Sequence, residues 1–358
     1  MKHDIKNTYD IRYDFVRIVS MILIIAIHVS STLVVDFGEI PMIDWNIANF
    51  VDSFSRMAVN IFFLISGALL LAKDDGIVSF YSKRLSKIII PFIFWTTFYT
   101  VWGKYYKQYE MSIKETLKGA YKFQSYYHLW FLYAIIMFYL FTPLFKMILK
   151  HISKKWAVGI CILWLIALTP NFLDKFSMLK GKLPIIKWSY TNFDYIVEYG
   201  AYYVLGYALV DYLHKLDKRK TTIFGIITLI SNFIIFIGTS FLSIKSGVFQ
   251  GKLYYSPSIF VAISSVTGYI FLYGFSDIIY ERLEKRKNLI SKVSYCSLGV
   301  YLIHICVLEV LKNQFFGEKL LYSVTPIIGI PILIAATLVV STTIVYFGKK
   351  VPLIKHIF

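Results

Sequence analysis

Apolar runs close to 20 residues long follow one another along the whole of this 358-residue chain. A helix needs about 20 apolar residues to cross the hydrocarbon core of a bilayer. In lipid each backbone amide must find its partner inside the segment, so such runs fold as helices. Charge is scarce to match, at 16% of residues, against about a quarter in soluble domains. The expected class is therefore all-α. It is a polytopic integral membrane bundle of about ten transmembrane helices.

Hydropathy and helix breakers place ten spans near residues 15–35, 50–72, 88–106, 128–149, 156–172, 193–213, 222–242, 257–278, 298–315 and 324–347. "TPN" at 169–171 is expected to end the fifth. The basic residues test the count. With the N-terminus inside, 24 of the 38 Lys and Arg fall in inner segments and 13 in outer ones, with Arg56 inside a span. That bias predicts an even number of spans and both termini in the cytoplasm. The segment 103–127 is outer on this count yet carries five Lys, which predicts an amphipathic helix on the surface. The first run lacks a small-residue cleavage site, so it reads as a retained helix. Nothing reads as a soluble domain. Residues 1–358 are expected to be one membrane-embedded unit without an appended soluble domain, so any chemistry belongs to the bundle.

The net charge of +17 has the same origin. Basic residues gather in cytoplasmic loops and beside anionic headgroups, so membrane lipids are the expected partner and nucleic acid is not. Cys161, Cys296 and Cys306 are odd in number and show no metal-ligand spacing. No metal is expected.

Polar groups inside spans are costly and usually face the bundle interior or a water-filled cavity. Arg17 and His28 are eleven residues apart in the first span. That spacing turns about 1100°, roughly 20° past three turns, so the two share a face about 16 Å apart. Asp14 reaches Arg17 from one turn earlier. His28 is either a histidine bonded to a neighbouring helix or a general base, since a desolvated imidazole stays neutral and can accept a proton.

In the second span Arg56 and Asn60 stand at i, i+4 and are expected on one face. Arg56 reads equally as snorkelling to the outer interface or as part of a site. Ser66–Gly67 reads as a close helix crossing. Lys83, Arg84 and Lys87 before the third span are ordinary inner charge or a cradle for the phosphates of a cytoplasmic ligand. Near the outer end of the fourth span, Tyr126, Tyr127, His128 and Trp130 form an aromatic cluster on which a sugar could stack. Asp194 and Glu198 open the sixth span. His304 and Glu309 lie in the ninth, five residues apart and so on different faces, with His304 either a structural contact or a support for the site.

Five stretches are now in view: "RYDFVRIVSMILIIAIHVS", "NIFFLISGALLL", "KRLSKIIIPFIFW", "YHLWFLYAIIMFYLFTPLF" and "SYCSLGVYLIHICVL". In this order they resemble the membrane acyltransferase-3 family over nearly the whole chain. Arg17, ten residues and His28 are the most specific element. The "HLWFL" form is similar to O-acetyltransferases of surface polysaccharides, the branch of enterobacterial common antigen and intercellular adhesin. Asn60 departs from the family, where many members have Pro before "FF". On the resemblance, the extracellular esterase domain that some members append is not expected within residues 1–358.

The resemblance implies transfer of an acyl group from cytoplasmic acyl-CoA, acetyl-CoA above all, to a hydroxyl of an extracytoplasmic polysaccharide or lipid-linked glycan. It implies a bacterial cytoplasmic membrane. On it His28 is the general base, Arg17 anchors the donor or orients the site, and Arg56 steadies the oxyanion. Lys83, Arg84 and Lys87 would hold the donor. Asn60, His128, Trp130, Glu198 and His304 would face the acceptor, and Glu198 is also a candidate for holding the His28 tautomer. A covalent acyl-histidine is a variant. A homodimer stays open. The rival reading is a transporter or flippase for a surface polysaccharide or small polar solute, since intramembrane charge suits transport as well.

Overall fold

Asp10 opens the first helix by accepting the Arg12 amide at 3.0 Å, which satisfies one of the free donors at a helix start. From there the chain is helical almost throughout. The computed structural model describes residues 9–73, 75–106, 126–173, 193–316 and 325–358. Its main helices are α1 (Ile11–Val34), α2 (Met42–Ser55), α3 (Ala58–Leu70), α4 (Ile77–Tyr105), α5 (Trp130–Leu149), α6 (Lys154–Leu173), α7 (Phe193–Ala208), α8 (Lys218–Ser246), α9 (Ile259–Ile278), α10 (Lys287–Val310) and α11 (Pro326–Gly348). No strand occurs among the described residues.

Eight segments among the described residues are long and apolar enough to cross a membrane. They are α1, α2 with α3, α4, α5, α8, α9, α10 with its extension, and α11. Helices α6 and α7 stand at the fifth and sixth expected spans. The chain is an all-α polytopic membrane protein.

Two expectations about the elements are corrected. The second span starts at Met42 rather than near 50, and it bends at Arg56–Met57. Both residues keep helical dihedrals, so the chain turns without stopping. The fifth span runs through "TPN" to Leu173. A proline removes one backbone donor, and in lipid unwinding the rest of the turn would expose more. Pro91, Pro143 and Pro331 likewise sit inside helices. The amphipathic helix expected within 103–127 falls mostly at 107–125, outside the described residues.

The segments expected at the cytoplasmic face meet at one end of the bundle. Arg12 pairs with Asp277 at 2.8 Å, Lys154 with Asp211 at 2.8 Å, and Lys349 donates to the Tyr295 carbonyl at 2.6 Å. An even alternation of spans requires this gathering.

Helices α3 and α7 touch backbone to backbone. A Cβ on Gly67 would stand 1.7 Å from the Tyr203 carbonyl oxygen, and one on Gly206 would stand 1.8 Å from that of Leu64. The "SG" of the second span is thus a packing device. Gly67→Ala should destabilise the fold by at least about 1–3 kcal/mol, because neither backbone can yield. It should appear as a lower unfolding midpoint of the detergent-purified protein. An unchanged midpoint would show that the crossing has slack.

Candidate active site

Helix α1 is the axis of the site. At its inner end Asp14 is buried and works as a hub. One carboxylate oxygen accepts from Arg17 at 2.8 Å and from the Ser294 hydroxyl at 2.6 Å, while Arg17 also donates to Ser294 at 2.7 Å. The other oxygen accepts the Tyr9 hydroxyl at 2.5 Å. Burial and this carboxylate push the Tyr9 phenol up to about 12. The closed ring fixes the Arg17 guanidinium between α1 and α10. Asp14→Ala removes the shared acceptor of charge-assisted bonds worth about 1.5–3 kcal/mol each. The unfolding midpoint should fall clearly, and Asp14→Asn should recover part of the loss. Equal midpoints for all three proteins would contradict the hub.

Tyr139 of α5 lies within electrostatic reach of both Arg17 and Arg84. Arg84 is half-buried, with Asp75 at 3.7 Å. Lys83 and Lys87 are exposed. The basic run of α4 is thus divided, one cation turned inward and two outward.

Three turns along α1, His28 is partly accessible, and its ring has no hydrogen-bond partner among the described residues. Its ring centroid lies 5.1 Å from that of His304 and 5.5 Å from that of Tyr127. His304 in turn lies 5.6 Å from His128. Both of these are fully buried. His304 Nδ1 donates to the Tyr301 carbonyl at 2.6 Å, and His128 Nε2 faces the Leu302 carbonyl at 3.4 Å. A carbonyl only accepts, so these nitrogens carry the protons. The remaining nitrogens, His304 Nε2 and His128 Nδ1, are buried without a partner among the described residues. Structural histidines are normally satisfied, and buried orphan acceptors call for another explanation.

Arg56 closes the outer side. Its guanidinium pairs with Asp52 at 2.5 Å and lies over the Tyr254 ring at 4.1 Å. Its charge also reaches His28. Asp52 is wholly buried, so the pair braces the bend of the second span from within.

A family model described as an acyltransferase domain matches residues 10–346. The chain belongs to this acyltransferase family. Comparisons with curated proteins and with solved structures find no match.

Within this acyltransferase, α5 and α7 build an aromatic wall beside the histidines. Trp130 stacks on Tyr195 and Tyr199 at 5.7 and 5.3 Å, and Tyr199 stacks on Phe63 at 4.7 Å. Glu198 lies within electrostatic reach of Tyr195 and Tyr199. Tyr301 joins α5 to the cluster, since its ring lies 4.9 Å from that of Phe131 and 5.6 Å from that of His304, and its hydroxyl donates to the His128 carbonyl. Asn60 is fully buried, donates to Ser265 at 2.9 Å and accepts from Ser256 at 3.2 Å, which ties α3 to α9.

The structure therefore gathers His28, His128 and His304, with the charge of Arg56 in reach. It sets Arg17 and Arg84 at the inner end and Trp130 with Glu198 on the wall. It leaves Lys83 and Lys87 apart. Sequence reasoning missed Asp52, Tyr301, Tyr127 as a neighbour of His28, and Tyr139. Asp52 had a legible signal, four residues before Arg56 in "DSFSR". The tyrosines had none among 28.

Proposed function

We propose that this acyltransferase moves an acyl group from cytoplasmic acyl-CoA, acetyl-CoA in the first instance, to a hydroxyl of an outward-facing glycan or lipid-linked sugar. The reading rests on one observation above all. His28 is partly accessible, and its imidazole has no hydrogen-bond partner among the described residues, in the middle of a helix whose inner end holds Arg17. His28 takes the hydroxyl proton, and the sugar oxygen forms the new bond to the thioester carbonyl carbon. The carbon–sulfur bond then breaks, and the imidazolium returns its proton to the departing thiolate.

The positive field of Arg56 favours the oxyanion in between. A closer approach of the two rings, now 5.1 Å apart, would let His304 Nε2 accept the His28 N–H and hold its tautomer, a role considered for Glu198 on sequence grounds. Arg17 and Arg84 suit the polyanionic donor, and the Trp130–Tyr195–Tyr199 wall suits a sugar face. A bacterial cytoplasmic membrane and a surface polysaccharide acceptor fit this arrangement of inner donor and outer acceptor.

The test is reconstitution of the purified chain in liposomes with radiolabelled acetyl-CoA and a surface glycan. Label should pass to the glycan in the wild type. Absence of labelled glycan across donors and acceptors would remove the proposal, and translocation of unmodified glycan would favour the export reading instead.

A further inference from the structure

At the inner end of the bundle, outside the histidine cluster, lies a cavity of about 680 Å³. It sits between the end of α3, the start of α4 and the end of α5. Lys73, Lys146 and Lys150 line it, and Asp75 is the acid among the described lining residues. Asp75 is shared with Lys83 at 4.0 Å and Arg84 at 3.7 Å. In sequence, the segments 73–87 and 143–150 carry Lys73, Lys83, Arg84, Lys87, Lys146 and Lys150 against Asp74 and Asp75, so cations exceed acids. The Lys146 ammonium is shielded from solvent and stands 4.9 Å from the Phe80 ring centroid.

The rest of the lining is apolar, with Phe80, Pro143, Leu144 and Met147 among it. Its rim is apolar and uncovered. Ile77 is 62% exposed and Met147 57%. On a membrane bundle such side chains meet lipid, so the cavity opens sideways at the level of the inner headgroups. Cations inside and hydrocarbon at the mouth are the two requirements of a phosphate ester carried on acyl chains. Basic pockets between membrane helices on the cytoplasmic side bind acidic headgroups for this reason.

We infer that this cavity holds the phosphate headgroup of an anionic phospholipid, its chains running along the exposed faces of α4 and α5. The bound headgroup braces α4 against α5. Phe80 also contacts the Tyr139 ring at 6.2 Å, so the lipid stands one side chain away from the tyrosine that faces Arg17 and Arg84. The phosphates of a soluble nucleotide share the chemistry but have no use for the apolar mouth.

The test is native mass spectrometry of the detergent-purified full chain, with phosphatidylglycerol, phosphatidylcholine and coenzyme A offered separately. Phosphatidylglycerol should be retained and phosphatidylcholine should not. Lys73→Ala/Lys150→Ala, which changes two exposed side chains and leaves Lys146 in place, should weaken retention about 10–30-fold. Lys73→Arg/Lys150→Arg should restore it. Equal retention of the two lipids, or undiminished binding by the alanine variant, would overturn the inference. So would loss of coenzyme A binding with phosphatidylglycerol retention intact, which would give the cavity to the soluble phosphate. None of these readouts needs acyl transfer, so they stand or fall apart from the proposed reaction.

Discussion

His28→Ala is expected to reduce acyl transfer about 10²–10⁴-fold, the usual contribution of a positioned general base. The folded state should hardly notice. The ring makes no hydrogen bond to the described protein, so its removal orphans no partner, and it is already partly accessible. The two readouts must therefore part: labelled product collapses while the unfolding midpoint stays near wild type. Joint collapse would return His28 to a structural role. Transfer within a few-fold of wild type would exclude proton abstraction by this imidazole, even with the family membership intact.

Asp52→Ala should have the largest effect on stability. Asp52 is 0% exposed and pairs with Arg56 at 2.5 Å. Removing one partner of a buried pair typically costs about 3–5 kcal/mol, because the other charge is left uncompensated. Arg56 keeps some access to solvent, so about 3 kcal/mol is expected here. Size-exclusion profiles and unfolding midpoints of the purified protein report it. Asp52→Ala/Arg56→Met should recover most of the loss, since no unpaired charge then remains. If the double variant is as weak as the single one, packing around Asp52 is the cause, and the pair does not brace the bend.

Much of the site was legible because α1 is a regular helix. Arg17 and His28 could be placed on one face from spacing alone, and Asp14 could be joined to Arg17 one turn away. The Asp14–Arg17–Ser294 ring extends that reading across 277 residues of sequence, where no periodicity reaches. The second span shows the opposite case. Arg56 and Asn60 have the spacing of neighbours, but the bend at Arg56–Met57 gives one to Asp52 and the other to Ser265 and Ser256. Lys83, Arg84 and Lys87 look alike in sequence, and only the packing of α4 on α5 turns Arg84 inward.

The sequence by itself determined the class and the order of the helices. Those follow from local rules: apolar length, helical pitch and the distribution of Lys and Arg. Which histidines meet was decided by tertiary structure alone. His28 and His304 lie on α1 and α10 and His128 in the turn before α5, and only packing brings their rings within 5.1 and 5.6 Å of one another. The same holds for the basic cavity of Lys73, Lys146 and Lys150, whose charges look like ordinary inner-loop lysines until α3, α4 and α5 fold around a common space.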